Sequence, residues 1–458
     1  MSTEKLIIKN SLIVISNTLF TNFIAFLTTL IFIRFLGVTE FGMLTLALSA
    51  ISLIEMIIDF GISGVLISDI AVEIGKKKYG AVKSLILRFS QMQLLLAGIL
   101  FLITFLFSSD LAGFFPVIQN ITTILKLISF MLLIFAVKNI FIVCFNSHSK
   151  FNYLTLLQSG DSLSRLGLIC IFFFIFHIRT IEFVILAYII AGLVSIFISA
   201  PFFIKTLYYL KNTPRIKANL FINLIKGHGK YNVIIGQIKN LQVNLPYWII
   251  NLILGINAVA IYSTAVKLQY FFLIIIDAID MIFAPLIASI ITTKEKVKII
   301  YKKISKYGLW LSILMLILAF TVVPTAAIIF FGSKYIESIP VFLILILILP
   351  FGAINISIRP IYFAYKEQKT LTKVYIFSLL LMLFLMYIFI IPFGLIGIAI
   401  GYLVATSLDF LIRRHILKIK YLISIDTKEF FRFDKYDSKI LKKVINKITI
   451  RSMFSKNK

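Results

Sequence analysis

Long apolar runs divide this chain almost end to end, at about 11–33, 42–68, 84–107, 121–145, 153–176, 182–204, 231–254, 258–291, 307–331, 338–362, 371–391 and 394–417. No other feature limits the fold so strongly. A hydrocarbon layer roughly 30 Å thick is crossed by a helix of about 20 residues. Backbone amides have no water partner inside that layer, so each run must close its hydrogen bonds internally as a helix. Hydrophobic residues make up 60% of the chain and mean hydropathy is +1.03, beyond what a soluble domain uses. The expectation is an all-α polytopic membrane protein with twelve transmembrane helices. The first run is too long for a signal peptide core and lacks a small-x-small cleavage site.

Net charge is +27. In a soluble protein that would suggest nucleic acid, but here the cations sit in alternate short loops. Lys76, Lys77, Lys78 and Lys83 share one side with Lys150, Lys205, Lys211, Lys294, Lys296, Lys302, Lys303, Lys366 and Lys369. The opposite loops hold little beyond Arg34, Arg179 and Lys334. Lysine and arginine concentrate on the cytoplasmic side of membrane proteins, so both termini are expected in the cytoplasm. Anionic membrane lipid, and no nucleic acid, is the expected partner of this charge.

The chain repeats weakly. Shifted by 218 positions, Leu36-Gly37 falls on Leu254-Gly255, Thr45 on Ser263, Ala47 on Ala265 and Asp59 on Asp277. Two like halves of six spans are related by an axis along the membrane normal. The expected division is a lobe at 1–205, an amphipathic cytoplasmic linker at 206–230, a second lobe at 231–420 and a basic tail at 421–458. The linker sets Leu220, Phe221, Leu224 and Ile225 on one face, and the tail does so with Leu441, Val444, Ile445 and Ile448. Both have the pattern of interfacial helices, though a basic solvated tail fits as well.

Polar residues fall into stripes at helical spacing. The second span carries Thr45, Ser49, Ser52, Glu55, Asp59 and Ser63 on one face. The seventh carries Gln237, Asn240, Asn244, Trp248 and Asn251, with Pro246 placed to kink it. The eighth carries Ser263, Lys267, Tyr270 and Asp277, the tenth Asn355, Arg359 and Tyr362, and the twelfth Tyr402, Thr406, Asp409 and Arg413. Asn22 belongs to a wide polar arc on the first span. Such side chains avoid lipid and turn inward. Two uses compete: interhelical hydrogen bonds, or the lining of a wet cavity between the two halves. Candidate cavity residues are Lys267, Arg34, Arg359, Asn240, Asn244, Tyr270 and Asn22.

Lys267 lies well inside its span, where it would serve an anionic headgroup or pair with a carboxylate. Lys239 lies off its helix's stripe. Asp161–Arg165 and Asp409–Arg413 have i,i+4 spacing and the look of structural pairs. Glu55 and Asp59 are i,i+4 but like-charged, which favours a bound cation or a shared proton. With Asp277 they are the ion-coupling candidates. Cys144 and Cys170 are expected to be buried thiols, the histidines show no ligand spacing, and no catalytic nucleophile, metal or nucleotide motif is present. No cofactor and no enzyme activity are expected.

Arg34-Phe35-Leu36-Gly37 with Phe41-Gly42, Asp59-Phe60-Gly61, and Gly255 with Ile261-Tyr262-Ser263-Thr264-Ala265-Val266-Lys267-Leu268 resemble the polysaccharide biosynthesis and export flippases of the multidrug/oligosaccharidyl-lipid/polysaccharide exporter superfamily. The resemblance covers all twelve spans and departs from the pattern at Ala260, which stands where the first half has Gly42. It implies a MATE-like pair of six-helix lobes around a cationic, alternating-access cavity. It also implies a substrate, an undecaprenyl-diphosphate-linked oligosaccharide of O-antigen or capsule type, carried across the bacterial inner membrane. Coupling to H+ or Na+ and contact with a polysaccharide polymerase complex are implied too. Two other readings stand beside it. A cation-coupled drug exporter would use an acidic cavity, which Glu55 and Asp59 could supply. A membrane polymerase would need a large outer loop, and the outward loops here are short.

Overall fold

The computed structural model describes residues 3–113, 120–214, 230–290, 294–356, 358–423 and 430. The amphipathic stretches expected at 220–225 and 441–448 lie outside the described residues. The helices, in chain order, are α1 (Thr3–Phe35), α2 (Val38–Asp59), α3 (Ser63–Gly75), α4 (Tyr79–Leu106), α5 (Ser108–Ala112), α6 (Ile121–Ser147), α7 (Phe151–Cys170) and α8 (Ile181–Leu207). They continue with α9 (Lys230–Leu254), α10 (Ile256–Ile290), α11 (Lys294–Thr321), α12 (Val323–Phe331), α13 (Ser338–Ile346), α14 (Leu349–Ile354), α15 (Ile358–Ala364) and α16 (Gln368–Tyr421). The described residues contain no strand.

The described residues of all twelve expected spans are mostly helical, and the chain is a multi-pass membrane protein. Eight helices are long and apolar enough to cross a membrane, or nine if the bent pair Ser338–Ile354 and Ile358–Ala364 is one span. The remainder have identifiable causes. α7 and α9 carry too many polar residues to meet that criterion. α16 is 54 residues long but folds back on itself at Gly394, whose φ of 55° and ψ of −133° interrupt the helix. Its two arms then touch so closely that a Cβ on Gly397 would sit 1.8 Å from the Phe389 carbonyl. The crossings therefore number about twelve.

Two departures from the expected spans matter for the site. The second span is broken, because Phe60 and Gly61 take left-handed φ values of 50° and 66° that stop α2 and start α3. The tenth is broken twice, into α13, α14 and α15. α9, in contrast, runs on through Pro246.

Packing sorts the helices into two lobes. In the first, α1 packs on α7, α4 on α6, and α8 on both α6 and α7. In the second, α9 packs on α16, α10 on α13, and α11 on α14. The lobes meet where α2 lies along α9 and α10, and where α1 meets α10. Apolar side chains such as Leu252, Phe197 and Ile391 point outward, as a lipid-facing surface requires. Cys144 is buried, Cys170 half-buried, and both are free thiols.

The two halves touch at equivalent positions. Thr39 Oγ1 lies 2.8 Å from Asn257 Oδ1, and Thr45 Oγ1 lies 3.2 Å from Ser263 Oγ. Gly42 is a glycine because of this approach: a Cβ there would be 2.3 Å from the Ile256 carbonyl oxygen. The departure at Ala260 leaves its own turn intact, since the left-handed turn residue of the second half is Gly255, at φ 84°. Gly37 has φ −66° and ψ 158°, ordinary extended backbone.

Candidate functional site

The stripes on α2 and α9 face each other across the lobe boundary, and one region is zipped. Trp248 Nε1 donates to Ser49 Oγ at 3.1 Å, and Asn244 Nδ2 and Asn240 Nδ2 each donate to Ser52 Oγ at 3.2 Å. Gln237 Nε2 donates to the Met56 carbonyl at 3.1 Å. Asn244 is buried by these contacts, which correct its expected place in a cavity: it serves as hydrogen-bonded glue. Each such bond in a membrane contributes about 0.6 kcal/mol. A zip of this strength closes one state without locking it.

Beyond Ser52 the lobes part. A cleft of about 490 Å³ is lined by Glu55, Met56, Asp59, Gly61, Gly64 and Val65 of the first lobe and Asn232, Gly236, Gln237, Asn240 and Phe363 of the second. Phe135 completes it. Asn240 is the cavity candidate brought here, together with the ion-coupling candidates Glu55 and Asp59. No basic side chain is among the described lining residues, so this cleft is acidic where a cationic one was expected. Glu55 sits in the field of Lys138 and Asp161. Asp161 holds both Lys138, at 2.7 Å, and Arg165, at 2.9 Å, and so confirms the expected structural pair and extends it to a third residue.

A second cavity, of about 420 Å³, lies inside the second lobe between α9, α10, α14 and α16. It is lined by Asp277, Asp280 and Asp409 against Lys239, Arg359 and Arg413, with Tyr262, Tyr375 and Tyr402. Arg359 Nη2 bonds Asp280 at 2.8 Å, and Asp409 pairs with Arg413. Asp277 makes no ion pair among the described residues. Lys239, set aside by its helical register, lines this cavity with its ammonium 5.4 Å from the Tyr375 ring centre. The signal for it was Gln242, three residues on, which marks a second polar face of α9.

The remaining cavity candidates are dispersed. Lys267 is exposed on α10 and lines neither cavity. It makes no hydrogen bond or ion pair among the described residues. Tyr270 is exposed one turn away, beside Phe271, whose ring centre is 5.1 Å from that of Phe26 on α1. Asn22 is half-buried on α1. Arg34 is apart from both cavities, at the closed end near Gly332.

A family profile described as polysaccharide biosynthesis protein matches residues 7–291. No curated protein matches the chain. Among solved structures, an inward-facing multidrug resistance MATE family transporter of the MOP superfamily aligns with a TM-score of 0.72 at 14% identity, covering 90% of this chain and 98% of that one. The lipid II flippase MurJ, in an inward closed conformation, aligns at 0.70 and 17% identity, covering 92% and 89%. A MOP superfamily transporter from Pyrococcus furiosus, described as having a binding pocket of reverse polarity, aligns at 0.64 and 13%, covering 90% and 96%. The fold is thus the one shared by these MATE transporters and MurJ. With two helical lobes meeting at a polar cleft, and a profile that spans the first lobe and continues into the second, this chain belongs to the polysaccharide biosynthesis protein family.

Proposed function

We propose that the protein is a flippase, carrying an undecaprenyl-diphosphate-linked oligosaccharide repeat unit of O-antigen or capsule type across the bacterial inner membrane by alternating access. The observation that carries this reading is a cleft between two lobes that is closed at the Gly37 and Gly255 turns and open toward Asp59, in a chain of the polysaccharide biosynthesis family. The distribution of lysines supports a closed end outside and an open end in the cytoplasm. A hydrophilic glycan enters from below while its lipid tail stays in the membrane. Lys267, exposed and without an ion pair among the described residues, is the group offered to the diphosphate. Glu55, Asp59 and Asp277 are the groups offered to a driving H+ or Na+. A polymerase complex would take the delivered unit outside, and the basic tail would rest on anionic lipid.

The test is reconstitution in vesicles with a fluorescent undecaprenyl-diphosphate oligosaccharide and an impermeant quencher. Protein-dependent exposure of the label in both leaflets is expected. Quenching no more complete than in protein-free vesicles would refute the reading.

A specific observation favours a second reading. The cleft holds two carboxylates and no described basic lining residue, which suits a cationic cargo and a cation-coupled drug exporter. Resistance to cationic dyes on expression, with surface glycan unaltered, would decide for it.

A further inference from the structure

Unmade hydrogen bonds gather around the cavity of the second lobe. Among the described residues, ten buried side-chain polar atoms have no partner, and four of them belong to residues lining this cavity: Asp280 Oδ1, Asn355 Oδ1, Asp409 Oδ1 and Arg413 Nε. In each case another atom of the same group is engaged. Arg359 holds Asp280 Oδ2 at 2.8 Å, and Asn355 Nδ2 donates to the Phe351 carbonyl at 2.6 Å. Arg413 pairs with Asp409 Oδ2 and donates through Nη1 to the Tyr375 hydroxyl at 3.2 Å. Each side chain is thus fixed by one bond with a second left unmade. Asp409 and Arg413 are buried, at 2% and 8% exposure, and a buried polar atom without a partner is costly.

We propose that this cavity binds one neutral sugar residue, a pyranose with adjacent free hydroxyls. Its described lining sets three carboxylates against three cations and carries no net formal charge. A cationic ligand would meet Lys239, Arg359 and Arg413, and an anionic one Asp277, Asp280 and Asp409, so both are disfavoured. A sugar hydroxyl donates and accepts at once. It can therefore serve three unused acceptors and one unused donor together, which neither a bare cation nor a carboxylate can do. The volume, about 420 Å³, lies within the roughly 300–1,000 Å³ of small-molecule sites. The Tyr375 ring already has the Arg413 guanidinium 4.7 Å from its centre. Tyr402, half-buried in the lining, makes no ring or cation contact among the described residues. It offers a flat apolar face to the C–H side of a pyranose.

The cavity adjoins the cleft between the lobes. α9 stands between the two, with Gly236, Gln237 and Asn240 lining the cleft and Lys239 and Gln242 lining the cavity. On α15, Arg359 lines the cavity and Phe363, one turn on, lines the cleft. Asp277 and Arg359 are exposed, which puts the mouth of the cavity at this end. A sugar in the cleft reaches the second lobe past Phe363, and the cavity then selects cargo by the charge of that one residue. That the sugar belongs to a transported glycan rests on the flippase reading, whereas whether it binds does not.

Saturation-transfer NMR on the purified full chain, in lipid nanodiscs free of sugar detergents, tests the proposal. The probes are glucose, galactose, mannose and N-acetylglucosamine, with glucuronate and glucosamine as charged controls. A saturable signal from at least one neutral sugar is expected, with the charged sugars weaker by about tenfold or more. Gly352 lines the cavity, and a Cβ there would meet nothing within 4 Å. Gly352→Leu should therefore keep the melting temperature and abolish the signal. Tyr402→Ala should weaken binding about tenfold and Tyr402→Phe should retain it, a pair that carries the test if Gly352→Leu does not fold. No saturable signal from any neutral sugar, tighter binding of a charged one, full binding to a folded Gly352→Leu chain, or unchanged binding in Tyr402→Ala would each overturn the subsite. Saturable 22Na+ binding with no sugar signal, lost in Gly352→Leu, would assign the cavity to an ion instead. No lipid carrier and no transport enter the assay, so a negative result leaves the flippase reading standing, and failed glycan transport leaves the sugar subsite standing.

Discussion

Thr45 and Ser263 are equivalent residues of the two halves, 218 positions apart, and their hydroxyl oxygens lie 3.2 Å from each other. Thr39 and Asn257, also 218 apart, do the same at 2.8 Å. Residues related by a two-fold operation can touch their own counterparts only beside the axis, so the pseudo-symmetry axis runs between α2 and α10 at this end. An axis position is where two lobes can hinge apart with least disruption of their own packing. Cysteines at 39 and 257, with Cys144 and Cys170 replaced by Ala, should form a crosslink under oxidation. Flipping should then fall more than tenfold and return on reduction. Full flipping with the crosslink in place would show that this end need not open.

Gly42 sets the depth of that contact. A methyl group there would stand 2.3 Å from the Ile256 carbonyl oxygen, which belongs to the backbone and has little room to yield. Gly42→Ala should cost about 1–3 kcal/mol of stability through overpacking. It should also bias the chain toward the state in which this end is open. The check is the crosslink above, which should form more slowly in the Gly42→Ala background. Unchanged crosslinking would mean the lobes separate elsewhere.

Among the described residues, Lys267 holds no hydrogen-bond or ion-pair partner that its removal would strand. Lys267→Ala should therefore leave the melting temperature of the purified protein unchanged. If its ammonium meets the diphosphate, transport should drop about tenfold, the worth of one charge-assisted contact of about 1.5 kcal/mol. Surface glycan at matched protein levels reads the effect. Arg at this position should retain much of the activity, because it keeps the charge.

The helices were legible because apolar runs of about 20 residues admit no other backbone in lipid. The repeat was legible because Leu-Gly, the hydroxyl positions and the intramembrane Asp kept their spacing. The interruption after Asp59 was hidden, since Phe60 continues the apolar pattern and only Gly61 hints at a stop. Stripes reveal which side of a helix is polar, but they do not name its neighbour. The faces of α2 and α9 thus meet as a zip over Ser49–Ser52 and open as a cleft only near Glu55 and Asp59. Asp280 was visible three residues after Asp277, yet its partner Arg359 is 79 positions away, a pairing that only the fold supplies.

Glu367, in the turn before α16, offers a pH test outside the spans. Hydrogen bonds from Thr370 and Lys420 hold its carboxyl at about 2, below the ordinary 4.5, with Tyr421 OH adding a bond at 2.8 Å. A carboxylate whose folded pKa is depressed stabilises the fold in full above its unfolded value, and loses that contribution as pH falls from about 4.5 toward 2. Glu367→Gln should melt below the unaltered chain near pH 7, and the two curves should converge as the solution is acidified. Lys420 is 45% exposed, so the gap should also narrow with added salt. A gap constant from pH 7 to pH 3 would assign the role of Glu367 to packing.

Asp161 carries a heavier electrostatic load. Lys138 reaches it at 2.7 Å from α6 and Arg165 at 2.9 Å from the next turn of α7, while the Arg165 guanidinium also lies 4.5 Å from the Tyr188 ring centre on α8. One acid thus ties three helices of the first lobe and neutralises cations that lipid would not tolerate. Asp161→Asn removes the charge and keeps the shape. It should destabilise the lobe by about 3 kcal/mol, because two partly buried cations lose their compensation. Lys138→Met alone leaves Arg165 to balance Asp161 and should cost less. The double variant Lys138→Met with Asp161→Asn should recover part of the loss, since one stranded cation has gone. Melting temperatures of the four proteins close the cycle. Strictly additive losses would mean that Lys138 and Asp161 do not interact, and that the first lobe is held by packing alone.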